Sequence, residues 1–387
     1  MSNLWEHPSI IAAEALSHLE DALIIQPLCT VDKTSDFSSK ANGWKVGDTV
    51  PFKTDGDFTV TEFSSAITVQ DIKSSKRSMV IDKHYDVSVA VTAREEALEL
   101  DSFSTQVLKP AAYKLAEKVD QYLAQKIYDQ ASGLYTSTTL FESAADIALA
   151  RKAATVQQLG TNRFCLVDLN LEATLLGQTW FNQAQTRGNQ GVSTLQSGIM
   201  GRVMGMDFYA SNSMPAPTAF TPGTRVGQVD NGAGGNTNNR IGGSVLTVDT
   251  NSIGTLKVGD RVAVAGCRRP LVISAALTIA EASTTYTLLH PITELIPDNA
   301  AVTIIGTGAA IYTHGAIFDD RSMAVAFPAL DVPGDRVAAM ASANGISIRV
   351  VKGYDLTSKT TTLSMDLLCG GFALDPRRIT LVAGDSL

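Results

Sequence analysis

The stretch that most constrains this chain is residues 103–132, FSTQVLKPAAYKLAEKVDQYLAQKIYDQAS. Leu108, Ala112, Leu115, Val119, Tyr122 and Ile127 recur there at spacings of three, four and five, one apolar stripe on a 3.6-residue period. Lys114, Glu117, Lys118, Gln121 and Gln125 fall on the opposite face. The pattern predicts a helix that lies on something and stays wet behind. From Pro110 to Ala131 it would run about 33 Å at 1.5 Å per residue, longer than most helices of a compact domain. Pro110 has no N–H and clashes one turn back, so the helix begins or kinks there. Gly133 is expected to end it as a C′ glycine.

A chain of 387 residues, 44% of them hydrophobic, can bury a sizeable core and is expected to hold two or three domains. Charged residues make up 18%, below the usual share of about a quarter, which implies that much of the surface is covered by something other than water. No apolar run approaches the ~18 residues of a membrane span, and MSNLWEHPSI lacks the basic-then-apolar layout of a signal peptide. The expectation is a soluble protein made in a cytoplasm. A net charge of −8 disfavours a protein that grips nucleic acid but allows one that surrounds it. Cys29, Cys165, Cys267 and Cys369 are widely spaced with no CxxC pair and read as reduced, buried small hydrophobes.

Residues 9–25 read as a short amphipathic helix with Ile11, Ala15, Leu19 and Leu23 on one side, capped by Ser9 and stopped by Pro27. With the polar stretch Thr30 to Asn42 behind it, this is an arm that needs a partner surface. From Lys45 to Thr92 the period changes to two. Met79, Ile81, Tyr85, Val87, Val89 and Val91 alternate with polar residues, which predicts one strand of about fourteen residues, roughly 45 Å long. Its expected partner begins at Val46. A two-stranded ribbon of that length is marginal alone, so it should lie on another subunit.

Beyond the helix, Glu142–Leu159 reads as a second helix ended by Gly160, and Arg163–Leu169 as a buried strand. A hairpin follows from Gly198 to Pro215, with Gly198, Gly201 and Gly205 available for positive φ. At Pro215 the composition shifts into a Gly- and Asn-rich run ending at Gly243, within which GAGG at Gly232 reads as a flexible linker. Ser244 to Gly306 then holds only short strands: SVLTV, DRVAVAG, RPLVISA, STTYTLLH and AVTIIG. These are expected to form an inserted all-β module, a small barrel. VGDxV occurs at Val46 and again at Val258, each time introducing a strand, as turn chemistry. The return from Ala309 offers Ile346, Ile348, Val350, Leu363, Met365, Leu367 and Cys369 as one sheet face, in two antiparallel strands joined through Lys352 to Lys359.

No catalytic constellation is visible. The five histidines have no metal-ligand spacing, GAGG at Gly232 does not open a helix, and no GxSxG elbow occurs. No catalytic, cofactor-binding or metal residue is therefore assigned, and no cofactor is expected. Asp55 with Asp57, and Asp319 with Asp320, read as solvated turn carboxylates rather than calcium ligands. Arg268 with Arg269, and Arg377 with Arg378, read as salt-bridge partners across subunits rather than as a phosphate grip. Lys76, Arg77, Asp55, Asp57, Arg377 and Arg378 are the candidate subunit contacts. Leu108, Leu115, Val119, Tyr122 and Ile127 are the candidate packing face of the helix. An arm, a ribbon and an oversized helix, all short of partners within one chain, point to a subunit of a large assembly.

The order arm, ribbon, long helix, α/β domain and strand return resembles the tailed-phage major capsid proteins with the Hong Kong 97 phage fold, and within them the coat proteins of Salmonella-type short-tailed phages. Three stretches carry the resemblance: SIIAAEALSHLEDALIIQPL at 9–28, YKLAEKVDQYLAQKI at 113–127 and LKVGDRVAVAG at 256–266. The resemblance implies an α+β chain with an N-terminal arm (1–42), an E-loop β-ribbon (43–94) and the spine helix of a P-domain (95–133). It further implies a first A-domain part (134–224), an inserted β-barrel (225–308) and A- and P-domain return strands (309–387). It implies a non-enzymatic shell protein: pentamers and hexamers of one polypeptide, assembled in the host cytoplasm around a scaffolding protein with a portal at one vertex, enclosing double-stranded DNA in a virion without binding it specifically. An encapsulin-type bacterial nanocompartment shell is the alternative, and a carbohydrate-binding or esterase-like β protein is a third class.

Overall fold

The computed structural model describes residues 8–31, 44–53, 76–91, 104–137, 141–182 except 142 and 158, 194–214 except 195, 226–229, 239–304 except 240, 251–253, 268, 280–282 and 293, and 312–384 except 333–336 and 356–359. The chain divides into two compact units, Met1–Asp120 with Ala324–Leu374, and Gln121–Met323 with Asp375–Leu387.

The first unit is built on the strand Thr360–Ala373, flanked antiparallel by Ile346–Asp355 and by Lys83–Val91, with Val337–Ala343 beyond Ile346–Asp355. Alternation along these strands buries Ile346, Ile348, Val350, Leu363, Met365 and Leu367. Asn344 and Gly345 join two of them with φ of 49° and 79°, the two positive values that a tight hairpin turn requires and that Asn-Gly adopts most cheaply. The helix Pro8–Ala22 packs on Val337–Ala343 and Ile346–Asp355 through Ile11, Ala12, Ala15, Leu16 and Leu19. The arm helix thus finds its surface on its own chain, where the sequence suggested an outside partner. Ser9 lies inside this helix rather than capping it, and Pro27 sits in a separate 3-10 turn, Gln26–Leu28.

The long strand expected over residues 79–92 is two. Lys76–Val80 pairs with Thr49–Lys53, the chain breaks at Ile81 and Asp82, and Lys83–Val91 continues in the large sheet opposite Thr361–Cys369. Ile81 is held at the break by a backbone pair, its N–H on Asp48 O (2.9 Å) and its O receiving Gly47 N–H (2.8 Å). Met79 and Ile81 then share a core with Trp44, Val50, Phe52, Ala324, Ala326 and Leu368. Period two is common to both halves, and the partner expected to begin at Val46 is the strand Thr49–Lys53, antiparallel to Lys76–Val80. The ribbon residues 54–75 lie outside the described residues.

The second unit holds a mixed six-stranded sheet in the order Gly133–Thr136, Thr380–Gly384, Tyr312–Asp319, Arg163–Val167, Met206–Ala210, Arg202–Val203. The helices Ala144–Val156 and Leu169–Gly177 bury Ile147, Ala150, Ala154, Leu171 and Leu175 in one core with Cys165, Val167, Ile317 and Val382. Both begin on side-chain caps: Ser143 Oγ accepts from Asp146 N–H (3.0 Å), and Asp168 from Leu171 N–H (2.9 Å). Gly133 is no helix cap. It opens the edge strand, and a Cβ there would stand 2.5 Å from Thr380 Oγ1 and 3.0 Å from Ile379 O, so glycine is needed for close approach to Thr380–Gly384. Gly160 likewise does not end its helix, which stops at Val156.

Residues 226–304 form a second six-stranded sheet, ordered Leu271–Val272, Arg261–Val264, Ala301–Ile304, Val226–Val229, Val245–Thr250, Ser283–Thr287, antiparallel throughout. Its two ends meet. Ile273 bridges Leu288, with Ser274 N–H on Thr287 O (2.9 Å) and Leu289 N–H on Val272 O (2.8 Å), so the sheet curls into a barrel joined at this point. Val229, Leu246, Val248, Val262, Val264, Ile273, Tyr286, Leu288, Val302 and Ile304 are buried in one core cluster. Val226 stands opposite Thr303, so the first and last strands of the barrel are direct neighbours. Val226–Val229 lies ahead of the short strands read from Ser244 onward, where Gly227 masks a strand at the centre of the sheet. Thr224 and Ala309 lie outside the described residues.

Candidate assembly elements

The helix spans Lys109–Gln130, preceded by one π-helical turn, Ser104–Leu108. The change of winding falls immediately before Pro110, whose missing N–H cannot bond to the carbonyl one turn back in the π-helical turn. Leu108, Leu115, Val119, Tyr122 and Ile127 are all buried, as are Ala112, Ala116, Leu123 and Ala124, while Lys114, Lys118 and Gln125 are exposed. The apolar face is therefore wider than the stripe in the sequence, and it contains a carboxylate.

That carboxylate is Asp120, 2% exposed. Its two oxygens accept the backbone N–H groups of Ile24 (3.0 Å) and Ile25 (3.2 Å), where the arm turns from its helix into the 3-10 turn Gln26–Leu28. Burial pushes its carboxyl up to about 6 against the pull of those two N–H bonds. The sequence signal was present: Asp120 lies one helical turn from both Ala116 and Leu123, inside the stripe.

At the other end of the helix stands Arg261 of the barrel. Its guanidinium is buried and donates from Nη2 to Tyr128 O (3.0 Å) and Ala131 O (2.9 Å), and from Nη1 to Gly259 O (3.0 Å). Tyr128 and Ala131 present carbonyls that the last helical turn cannot satisfy, and a cation there also complements the helix dipole. Burial pulls the guanidinium down to about 10 against nearby Tyr128, Asp260 and Asp129, so it stays charged at neutral pH. The turn that brings it there, Lys257–Asp260, is one the chain uses twice. Lys257 N–H meets Asp260 Oδ2 at 2.8 Å, as Lys45 N–H meets Asp48 Oδ2 at 2.8 Å, with Gly259 and Gly47 at φ of 90° and 96°. At Gly259 the turn comes within contact of Asp129.

The candidate subunit contacts fare differently. Arg377 pairs with Asp375 (2.8 Å), and Arg378 with Asp319 (2.9 Å) and Asp375 (3.6 Å), so both are engaged within the chain. Asp319, read as a solvated turn carboxylate, is 1% exposed and also accepts Gly160 N–H (2.9 Å) and Ser322 Oγ–H (2.5 Å). Asp55 and Asp57 lie outside the described residues, as do the side chains of Lys76 and Arg77. In the large sheet Arg349 holds Asp366 in two bonds, Nε at 3.0 Å and Nη2 at 2.5 Å, with His84 Nε2 at 3.0 Å from the same carboxylate. Among the described residues no group of three His, Cys, Asp or Glu is placed to hold a metal ion, and no helix is long and apolar enough to cross a membrane.

No family model and no curated protein matches the sequence. Solved structures do match the fold. A chain of Mycobacterium phage Che8 is similar over 93% of this chain and 90% of its own, with a TM-score of 0.51 and 12% identity. The capsid structure of the cyanophage P-SCSP1u is similar over 94% and 89% (TM-score 0.46, 14% identity), and the virus-like particle from Pyrococcus furiosus over 99% and 100% (TM-score 0.42, 7% identity). At such identities the likeness is one of fold: this chain has a mixed α+β fold of the Hong Kong 97 phage capsid type.

Proposed function

We propose that the chain is the major capsid protein of a tailed phage, a structural protein whose pentamers and hexamers build an icosahedral shell around double-stranded DNA. The observation that carries this reading is the fold likeness to a phage structure across 93% of the chain, joined to the order of arm helix, paired strands, long helix and return sheet. A net charge of −8 suits a container that must not adhere to the DNA it encloses. Assembly in the host cytoplasm around a scaffolding protein, with a portal at one vertex, belongs to the same reading. Electron microscopy of the purified chain, with light scattering for mass, is expected to show closed shells or rings of five and six. Shells carrying nuclease-protected DNA support a virion; shells filled with enzyme cargo would turn the reading to an encapsulin-type compartment. A dispersed monomer at high concentration would remove shell formation altogether.

Residues 225–308 are, in this reading, an inserted domain of the kind carried by Salmonella-type phage coat proteins, helping the parent domain fold and setting shell size. The barrel, its single core and the adjacency of Val226 and Thr303 support it, because an inserted domain must leave its host where it enters. Expressed alone, the segment is expected to melt in one cooperative transition, and amide resonances at random-coil positions would contradict its independence.

A further inference from the structure

We infer that the large sheet of the first unit continues into a second copy of the chain: the free edge of Val337–Ala343 pairs antiparallel with the free edge of Lys83–Val91 on a neighbouring copy. The inference rests on the reading of the chain as a subunit that assembles with copies of itself, and it adds a seam which that reading does not contain.

Both edges lie open among the described residues. Lys83–Val91 pairs on one side only, with Thr361–Cys369, and Val337–Ala343 on one side only, with Ile346–Lys352. A bare edge is a liability that chains ordinarily blunt with Lys, Pro, a bulge or brevity. Elsewhere this chain does so: Thr49–Lys53 carries Pro51 and Lys53, Thr30–Val31 and Arg202–Val203 are two residues long, and Gly133–Thr136 is four. The two edges of the large sheet are nine and seven residues long, without Pro and in unbroken register. Asp86, the one carboxylate on the longer strand, is already taken up by the Ser88 and Ser364 hydroxyls of its own sheet.

Burial across the sheet marks the side that needs covering. Val89, Val87 and Tyr85 stand opposite Leu363, Met365 and Leu367; the inner three are at most 2% exposed, while the edge three are only half-buried. At the other edge the same face offers Ala339 and Ala341, opposite Val350 and Ile348. Large side chains at one edge and small ones at the other suit a core layer that runs on across the junction.

Direction agrees. Successive strands of the sheet alternate, so its two edges run antiparallel to each other, and a copy set alongside in the same orientation presents the partner that each edge requires. Such a contact is heterologous, each copy giving one edge and receiving the other, and it builds rings or open rows. A seven-residue strand has three full-length antiparallel registers on a nine-residue one, and the middle register turns the buried face outward. The other two set Met340 opposite Asp86 or opposite Ser88, and in either one Ala339 and Ala341 meet two of Tyr85, Val87 and Val89. Seven residues a side falls short of the roughly 20–30 of a stable interface, so the seam adds to other contacts between copies rather than holding two together alone.

The test uses Met340, Asp86 and Ser88, which all lie exposed on the opposite face of the sheet. Met340→Cys is mixed with Asp86→Cys, and separately with Ser88→Cys, under assembly conditions, then oxidised with copper–phenanthroline, and disulfides are read by peptide mass spectrometry. The two new cysteines sit on different chains, so every link between them joins two copies. One mixture is expected to link strongly and the other weakly, and no variant alone should link through its new cysteine. Links in neither mixture overturn the seam, as does a link in a variant alone, which would mean that an edge pairs with itself. Shells that form without the link reject the seam and leave the shell reading standing, whereas a monomer at high concentration rejects both. Should a cysteine variant fail to assemble, amide exchange of the wild-type chain decides. Lys83–Val91 and Val337–Ala343 should both slow by about tenfold or more between free and assembled chain, and an unchanged rate in either rejects the seam.

Discussion

Leu115→Asp is expected to leave the chain insoluble or unfolded, whereas Tyr113→Asp, two residues earlier on the same helix, should be tolerated. Leu115 is 2% exposed and Tyr113 is 45% exposed. The substitution removes about 2 kcal/mol of apolar burial and places a carboxylate in the core at a cost of several more. Together that approaches the whole stability of a domain, about 5–15 kcal/mol. Soluble yield and the urea midpoint of the two variants measure it. A Leu115→Asp midpoint equal to that of wild type would mean that the stripe faces water.

The stripe could be read from the sequence because a 3.6-residue period has one structural meaning over five turns. The same holds for the return strands, where alternation at Ile346–Val350 and Leu363–Leu367 is undisturbed by Gly or Pro. Period two was less informative at residues 76–91, since it says which face is buried and nothing about which strand lies alongside. The break at Ile81 and Asp82 depends on a backbone pair with Gly47 and Asp48, which local pattern does not contain. Val226–Val229 was hidden by composition, and it is placed by barrel neighbours up to 77 residues away, as in Val226 opposite Thr303. The polar anchors were illegible as pairs for the same reason: Asp120 with Ile24, Arg261 with Ala131 and Asp319 with Arg378 are separated by 96, 130 and 59 residues.

Asp319→Ala is the second large effect expected, a loss of about 3–5 kcal/mol in unfolding free energy. Removing the carboxylate leaves the Arg378 guanidinium without its closest counter-ion, Gly160 N–H without its acceptor and Ser322 Oγ–H without one of its two. Arg378, a quarter exposed, would keep only the longer contact with Asp375, and an ion pair that has lost one member costs more than the absence of both. The double variant Asp319→Ala with Arg378→Met should therefore be less damaged than Asp319→Ala alone, and Asp319→Asn, which still accepts from Gly160, should fall between wild type and Ala. Chemical denaturation of the four proteins orders them. A double variant worse than the single would show that Arg378 has other adequate partners, Asp375 being the nearest.

The far end of the spine helix is finished by residues that the ribosome has not yet made when the helix emerges. Arg261, which fills the carbonyls of Tyr128 and Ala131, comes 130 residues after Ala131, and at roughly 5–20 residues per second it arrives many seconds later. Pro376 and Ile379, which accept the N–H groups of Ser132 and Gly133, come later still. For the whole of that interval the last helical turn is solvated only by water, and the edge strand Gly133–Thr136 has no neighbour to pair with. A nascent chain of this protein therefore carries an open strand edge and a frayed helix end through most of its synthesis, and the steps that close both are among the last it takes.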